Sequence, residues 1–399
     1  MADEKSTIMP KNLMQYFIPT SAAARYQSLE RLLKHFCASS ITIKSASLQN
    51  GRCINYVDIS GIRKSSPNRT EEVLVLAHGF GLGLGFFFNN FDRFANDFDR
   101  IIAFDWSGMG GSTRSEGTAH SDFLPPKRQI LRVFASQISS AINHVLPFPS
   151  KVKSYNEEHP SQATNFFIDD LEEFRKLTLP ADSRFVLAGH SLGGFLCARY
   201  SIKYPHNVKA LVLMSPVGLP KHPSTQILPK QMTSGQIALN SLWALNFTPQ
   251  GILRAVGPRG PKMLNSIIDR RFGRRWAETE RDLLGSYLYH ITAAPPLGEY
   301  AMNSLLSPIV YMARKELSAG TVSNQISKEQ KWRGDDAQIP SSTAEYSFRT
   351  GIYAREPLYD RLVKLRDHGI PLLILFGDDD WMAYKGLDAD AAYWTAQVI

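Results

Sequence analysis

At 399 residues and 43% apolar, the chain is long enough to bury one large core with an insertion, or two domains. Its net charge of +8 is mostly dispersed, which argues against nucleic acid as the partner. Three distant cysteines, Cys37, Cys53 and Cys197, suggest neither a disulfide framework nor a zinc site and point to a reducing, intracellular compartment.

The first residues, MADEKSTIMPKNLMQYF, lack the charged-then-apolar layout of a secretory signal, and their early acids argue against a mitochondrial presequence. Residues 22–37 follow, with Leu29, Leu32, Leu33 and Phe36 at helical spacing; a helix docked on the body is expected, rather than one lying in a membrane interface. Residues 41–60 hold two β-rich runs around Asn50-Gly51, a hairpin signal. The longest apolar run, Val73 to Phe88, contains His78 and four glycines and is too short for a membrane span. The protein therefore reads as soluble or peripheral.

Five short apolar runs recur: 73-VLVLA-77, 101-IIAF-104, 185-FVLAG-189, 209-KALVLM-214 and 372-LLILF-376. Runs apolar on both faces and separated by helical stretches imply an α/β fold, a mostly parallel sheet covered on both sides. Residues 147–164 are polar and proline-rich and read as a surface loop. Residues 216–352 break the rhythm, look mainly helical, and suit a cap inserted over an active site; within them 318–345 is polar and poorly periodic. The expected organisation is a helical segment at 1–38, the first part of the core at 39–215, the cap at 216–352 and the second part of the core at 353–399.

The stretch 185-FVLAGHSLGGFLCARY-200 sets Ser191 between Gly189 and Gly193, after a strand and before a helix. A sharp strand–turn–helix exposes a nucleophilic serine, and its close packing demands small residues on both sides. A serine needs a base within hydrogen-bond reach and donors aimed at the oxyanion of acyl transfer. The glycine-rich loop 78-HGFGLGLGFFFNNF-91 follows the first core strand. The peptide N–H of Phe80 would join that of Leu192 in an oxyanion hole. A phosphate or dinucleotide loop is the competing idea, but neither G-x-x-x-x-G-K-[ST] nor a G-x-G-x-x-G opening a helix is present. His78 is expected to fix the loop rather than act as base, and the turn 105-DWSGMGGSTR-114 to be structural. The acidic turn 377-GDDDWMAYKG-386 offers Asp378, Asp379 and Asp380. The stretch 254–275 concentrates Arg254, Arg259, Lys262, Arg270, Arg271, Arg274 and Arg275 against Asp269 alone. It reads as a solvated helix face or as a patch facing phospholipid headgroups, with Arg270 and Arg271 at its centre.

The set HGFGLGLGFFFNNF, FDWSGMGGS, FFIDDLEEFRK, GHSLGGF, GPRGPK, YHITAAPPLGEYAMN, AREPLYDRL and GDDDWM resembles the α/β-hydrolase branch that holds the fungal cardiolipin-specific deacylase and the animal abhydrolase-domain proteins four and five. The resemblance implies a serine acyl hydrolase on membrane glycerophospholipids, cardiolipin-like or lysophospholipid, with peripheral membrane contact and no metal or organic cofactor. It implies a mitochondrial, cytoplasmic or lipid-droplet setting, and leaves the oligomeric state open. It assigns the triad acid to the G-x-x-D position, Asp380. Relatives often carry a second aspartate after the Trp-Met pair, where this sequence has Ala383.

In that fold the order runs serine, acid, histidine. The ten histidines here are 35, 78, 120, 144, 159, 190, 206, 222, 290 and 368, and no catalytic histidine is found after Asp380. The H-x-x-x-x-D acyltransferase motif is absent too. The expectation is a last strand, histidine loop and helix missing from this chain. The alternative is a catalytically impaired lipid-binding or regulatory protein on the same scaffold. His290, in the cap, and His368, before the penultimate strand, are the substitutes considered.

Overall fold

A computed structural model describes residues 20–39, 41–62, 70–113, 160–222, 233–244, 248–272, 277–314 and 346–377. Strands β1 (Thr42–Ser47) and β2 (Cys53–Ser60) form the expected hairpin, with Gly51 at φ 79° turning the chain and Ser47 opposite Cys53. Helix-separated strands follow: β3 (Val73–Ala77), β4 (Arg100–Phe104), β5 (Phe185–His190) and β6 (Val208–Met214). A further strand, Leu372–Leu375, is the ninth in chain order and is called β9. The sheet order is β1-β2-β4-β3-β5-β6-β9, with β1 and β2 antiparallel and the other five parallel.

Alternation along each strand divides the core into two layers. Val73, Val75, Ala77, Ile102 and Phe104 face one side, where helices Pro160–Thr178 and Leu192–Lys203 bring Phe167, Phe174, Phe195 and Leu196. Leu74, Leu76, Ile101 and Ala103 face the other side. That side is closed by α1 (Ala22–Phe36) and α2 (Phe91–Asp97), together with a helix of the inserted region. Leu29, Leu32 and Leu33 are buried, as expected of a docked helix. Burying three leucines contributes roughly 1.5–3 kcal/mol each. That outweighs the exposed Glu30–Lys34 pair on the opposite face.

The helix Pro160–Thr178, here α3, corrects the loop expected over 147–164. Pro160 opens it at a position where its missing N–H costs nothing, and Ala163 and Thr164 are already buried. Residues 147–159 lie outside the described residues. The helix Leu192–Lys203 is α4. The inserted region supplies α5 (Ser234–Ala244), α6 (Pro249–Ala255), α7 (Gly260–Phe272), α8 (Glu278–Thr292) and α9 (Ala301–Leu305). It also holds an antiparallel ladder of β7 (Leu306–Arg314) and β8 (Tyr346–Ala354), which the helical reading did not anticipate. The stretch 318–345 lies outside the described residues. A short helix α10 (Val363–Asp367) leads into β9.

Two contacts seat the inserted region on the loops after β3 and β4. Gly85 N–H donates to the Tyr287 hydroxyl at 3.0 Å, and Gly298 N–H donates to the Gly108 carbonyl at 3.2 Å. Among the described residues no helix is long and apolar enough to cross a membrane.

Candidate active site

Ser191 lies between the end of β5 and the first turn of α4, at φ 54° and ψ −117°. An L-residue adopts this conformation only where its surroundings enforce it. Here the enforcement is steric and hydrogen-bonded. A Cβ on Gly189 would stand 2.5 Å from the Gly193 carbonyl oxygen, and one on Gly193 would stand 2.5 Å from the carbonyl oxygens of Ala77 and His78. The elbow therefore packs directly on the end of β3. Ser191 N–H donates to the Met214 carbonyl at 2.9 Å, and the Ser191 carbonyl accepts from Phe195 and Val217, each at 3.2 Å. Leu192, buried, is the first helical residue, where an α-helix has no carbonyl of its own to pair with the N–H. The helix dipole adds positive potential there.

The loop after β3 meets this serine. A Cβ on Gly79 would lie 3.0 Å from Ser191 Cβ, so only glycine lets the loop approach so closely. Phe80 follows, half-buried. His78 holds the loop as expected. Its Nδ1 donates to the Gly79 carbonyl at 2.8 Å and its Nε2 accepts from Trp106 N–H at 3.2 Å. Trp106 Nε1–H in turn donates to the His78 carbonyl at 3.0 Å. With both ring nitrogens engaged by the backbone and Nε2 also 3.6 Å from the Asp105 carboxylate, His78 is committed to structure.

The turn after β4 is structural too, and Asp105 is its centre. The fully buried carboxylate accepts from Leu84 N–H at 2.7 Å, Asn55 Nδ2 at 2.7 Å and Gly111 N–H at 2.8 Å. Tyr287 lies close by, its phenol pushed well above its ordinary pKa by burial and by the Asp105 charge, so it stays protonated.

The carboxyl ends of β5, β6 and β9 converge. Ser215 N–H donates to the Leu375 carbonyl at 2.7 Å, one residue from the Met214 carbonyl that receives Ser191 N–H. Asp380, Asp378 and Asp379 follow β9 but lie outside the described residues. The considered substitutes for the histidine are occupied elsewhere or remote from this end. His290 Nδ1 meets the Thr20 hydroxyl at 3.1 Å, and burial with Arg25 and Arg31 nearby holds its pKa below the usual value. His368 is exposed at the opposite, amino end of β9.

The basic stretch divides. Arg254 does not face solvent: its guanidinium pairs with the buried Glu299 carboxylate and donates to the Thr292 carbonyl at 3.2 Å. Thr248 completes the cluster by donating to Glu299 at 2.7 Å. This pairing removes Arg254 from the expected headgroup patch; the partner lies 45 residues further along the chain. Arg259, Lys262 and Arg270 are exposed, beside exposed Ile252, Met263 and Ile267. Arg271 lies on α7, but its side chain, with Arg274 and Arg275, is outside the described residues. Two residues near the glycine loop after β3 escaped sequence reasoning, Glu299 and Gln250. Glu299 sits within the GEY segment already singled out; a lone glutamine gives no signal at all.

Comparison with known proteins agrees with this geometry. A model of the alpha/beta hydrolase fold matches residues 72–396. A probable 1-acylglycerol-3-phosphate O-acyltransferase of Oryza sativa subsp. japonica is 29% identical over 321 residues, covering 78% of this chain and 57% of that protein. A (lyso)-N-acylphosphatidylethanolamine lipase of Homo sapiens is 28% identical over 278 residues, 68% of each. The 1-acylglycerol-3-phosphate O-acyltransferase ABHD5 of Mus musculus is 30% identical over 247 residues, covering 61% of this chain and 57% of that protein. The chain thus spans little more than half the length of the acyltransferases it matches. A serine held on a strained strand–helix turn, a glycine loop pressed against it, and a family model extending over most of the sequence lead to one conclusion: the chain belongs to the alpha/beta hydrolase fold family.

Proposed function

We propose that the protein is a serine acyl hydrolase of membrane glycerophospholipids, of the cardiolipin-like or lysophospholipid class, working through an acyl-serine. The observation that carries this reading is Ser191 itself, strained on its turn and covered by the Gly79–Phe80 loop. Its Oγ would attack the ester carbonyl. The peptide N–H groups of Phe80 and Leu192 would take the oxyanion, and water would release the acid. Asp380 would be the carboxylate that orients a histidine base to take the Ser191 proton, a histidine that does not follow Asp380 in this sequence. The names of the relatives support a glycerophospholipid substrate.

The lipid reaches the site from a bilayer. The outer face of α7 presents Lys262, Met263, Ile267 and Arg270 to solvent, with Ile252 of α6 nearby. Interleaved apolar and basic side chains suit the headgroup region of an anionic membrane. Charge reversal at Lys262 and Arg270 should weaken co-sedimentation with anionic vesicles, and unchanged binding would remove α7 from the membrane contact.

The decisive experiment supplies the purified full chain with lysophospholipid and diacyl vesicles and follows fatty-acid release by mass spectrometry. Release lost in Ser191→Ala supports the proposal. Lipid binding without release, indifferent to Ser191→Ala, would replace it with the non-catalytic lipid-binding reading.

A further inference from the structure

Behind the oxyanion loop lies a small cavity of about 20 Å³, walled by Phe80, Gly81, Met109, Gln250, Thr292 and Glu299. Gln250, the second residue of α6, is only 7% exposed, and its Oε1 is buried with no hydrogen-bond partner among the described residues. Its Nε2 stands 2.9 Å from the place a Cβ on Gly81 would occupy, so the amide lies against the loop that carries Phe80. Buried acceptors are ordinarily paired, and an orphan beside a cavity marks a place kept for a donor.

Resting on the lysophospholipid reading above, we propose that Gln250 is a specificity-determining residue whose Oε1 accepts a hydrogen bond from a free glycerol hydroxyl of a monoacyl glycerophospholipid. Three observations converge on a hydroxyl. The cavity holds about one water-sized group, so neither a headgroup nor an acyl chain fits. The vacant atom is an acceptor, so the incoming group must donate. A glycerol hydroxyl donates, whereas the acyl ester that replaces it in a diacyl lipid offers only acceptors. The carboxylate in the wall does not compete, because Glu299 already receives Arg254 and Thr248. The place is also right: Phe80 is at once a wall of this cavity and the expected donor to the oxyanion. A hydroxyl seated on Gln250 would therefore hold the neighbouring ester of the same glycerol close to Ser191.

The test separates binding from turnover by using non-cleavable ligands. A 1-O-alkyl lysophospholipid with a free 2-hydroxyl is compared with its 2-O-methyl ether, each titrated below its micellar concentration into the full chain by calorimetry. One net hydrogen bond corresponds to a preference of about fivefold for the free hydroxyl. Gln250→Leu and the closer-shaped Gln250→Met should bring the two ligands to parity. Equal binding of both ligands by the unmodified protein overturns the proposal without needing any variant to fold. So does a preference that survives in either variant. Failure of both ligands to bind overturns the lysophospholipid reading itself, and this assignment with it.

Discussion

Replacing Ser191 by glycine should stabilise the protein as it silences it. The serine holds φ 54° and ψ −117°, a conformation natural to glycine and strained in every L-residue. Strain of this kind costs about 1–3 kcal/mol. Glycine would relieve it, and would lose about 0.5–1 kcal/mol of that gain through the greater freedom of its unfolded chain. The right comparison is with Ser191→Ala, which also lacks the hydroxyl but keeps the strain. The glycine variant should exceed the alanine variant by roughly 1 kcal/mol, a rise of about 1–2 °C in Tm for a chain of this size. Urea unfolding of the two purified variants, fitted with a common slope, measures the difference directly. Neither variant should release fatty acid. A glycine variant no more stable than the alanine variant would show that the turn is not strained, and would remove the physical argument for a positioned nucleophile.

Gly193→Ala should act in the opposite sense: its Cβ would meet two backbone oxygens at 2.5 Å, and neither can turn aside as a flexible side chain could. Overpacking of this kind costs about 1–3 kcal/mol, and the displaced segment leads into the loop proposed to hold the oxyanion, so turnover should fall further than the unfolding midpoint suggests; an unaltered urea midpoint and rate would contradict the packing described. The contact of α1 with α8 should weaken in acid. Burial, with Arg25 and Arg31 nearby, lowers the His290 pKa from its usual 6.5, so the folded state binds fewer protons than the unfolded. Its stabilising share is full above pH 6.5 and is lost as pH falls through the depressed value. His290→Gln should flatten the slope of stability against pH below 6.5, and an unchanged slope would show that another group carries it.

Much of this was legible in the sequence because the signals were local. An Asn-Gly pair between β-rich runs gave the hairpin, and continuous apolar runs gave the five parallel strands. Glycines at fixed offsets around Ser191 gave the elbow, and the histidine before the glycine loop gave its anchor. What could not be read depended on distant partners. Arg254 belongs by sequence to a basic run and by structure to Glu299. The β7–β8 ladder joins segments on either side of 315–345, and Pro308 in one strand and Gly351 in the other blur the alternation that would have marked them. The start of α3 was hidden by a proline that ordinarily signals a loop. Gln250 was invisible, since only the cavity and the missing partner single it out.

Asp105 has a consequence for how the site moves. One carboxylate ties together the hairpin strand through Asn55, the loop after β3 through Leu84 and the turn after β4 through Gly111. These three segments cannot loosen one at a time without stranding a buried charge, so they should open as one cooperative unit, with the amides of Leu84 and Gly111 exchanging their hydrogens together. Any substrate-driven rearrangement then has to pivot around this anchor. The loop after β3 is thereby set in place when the chain folds.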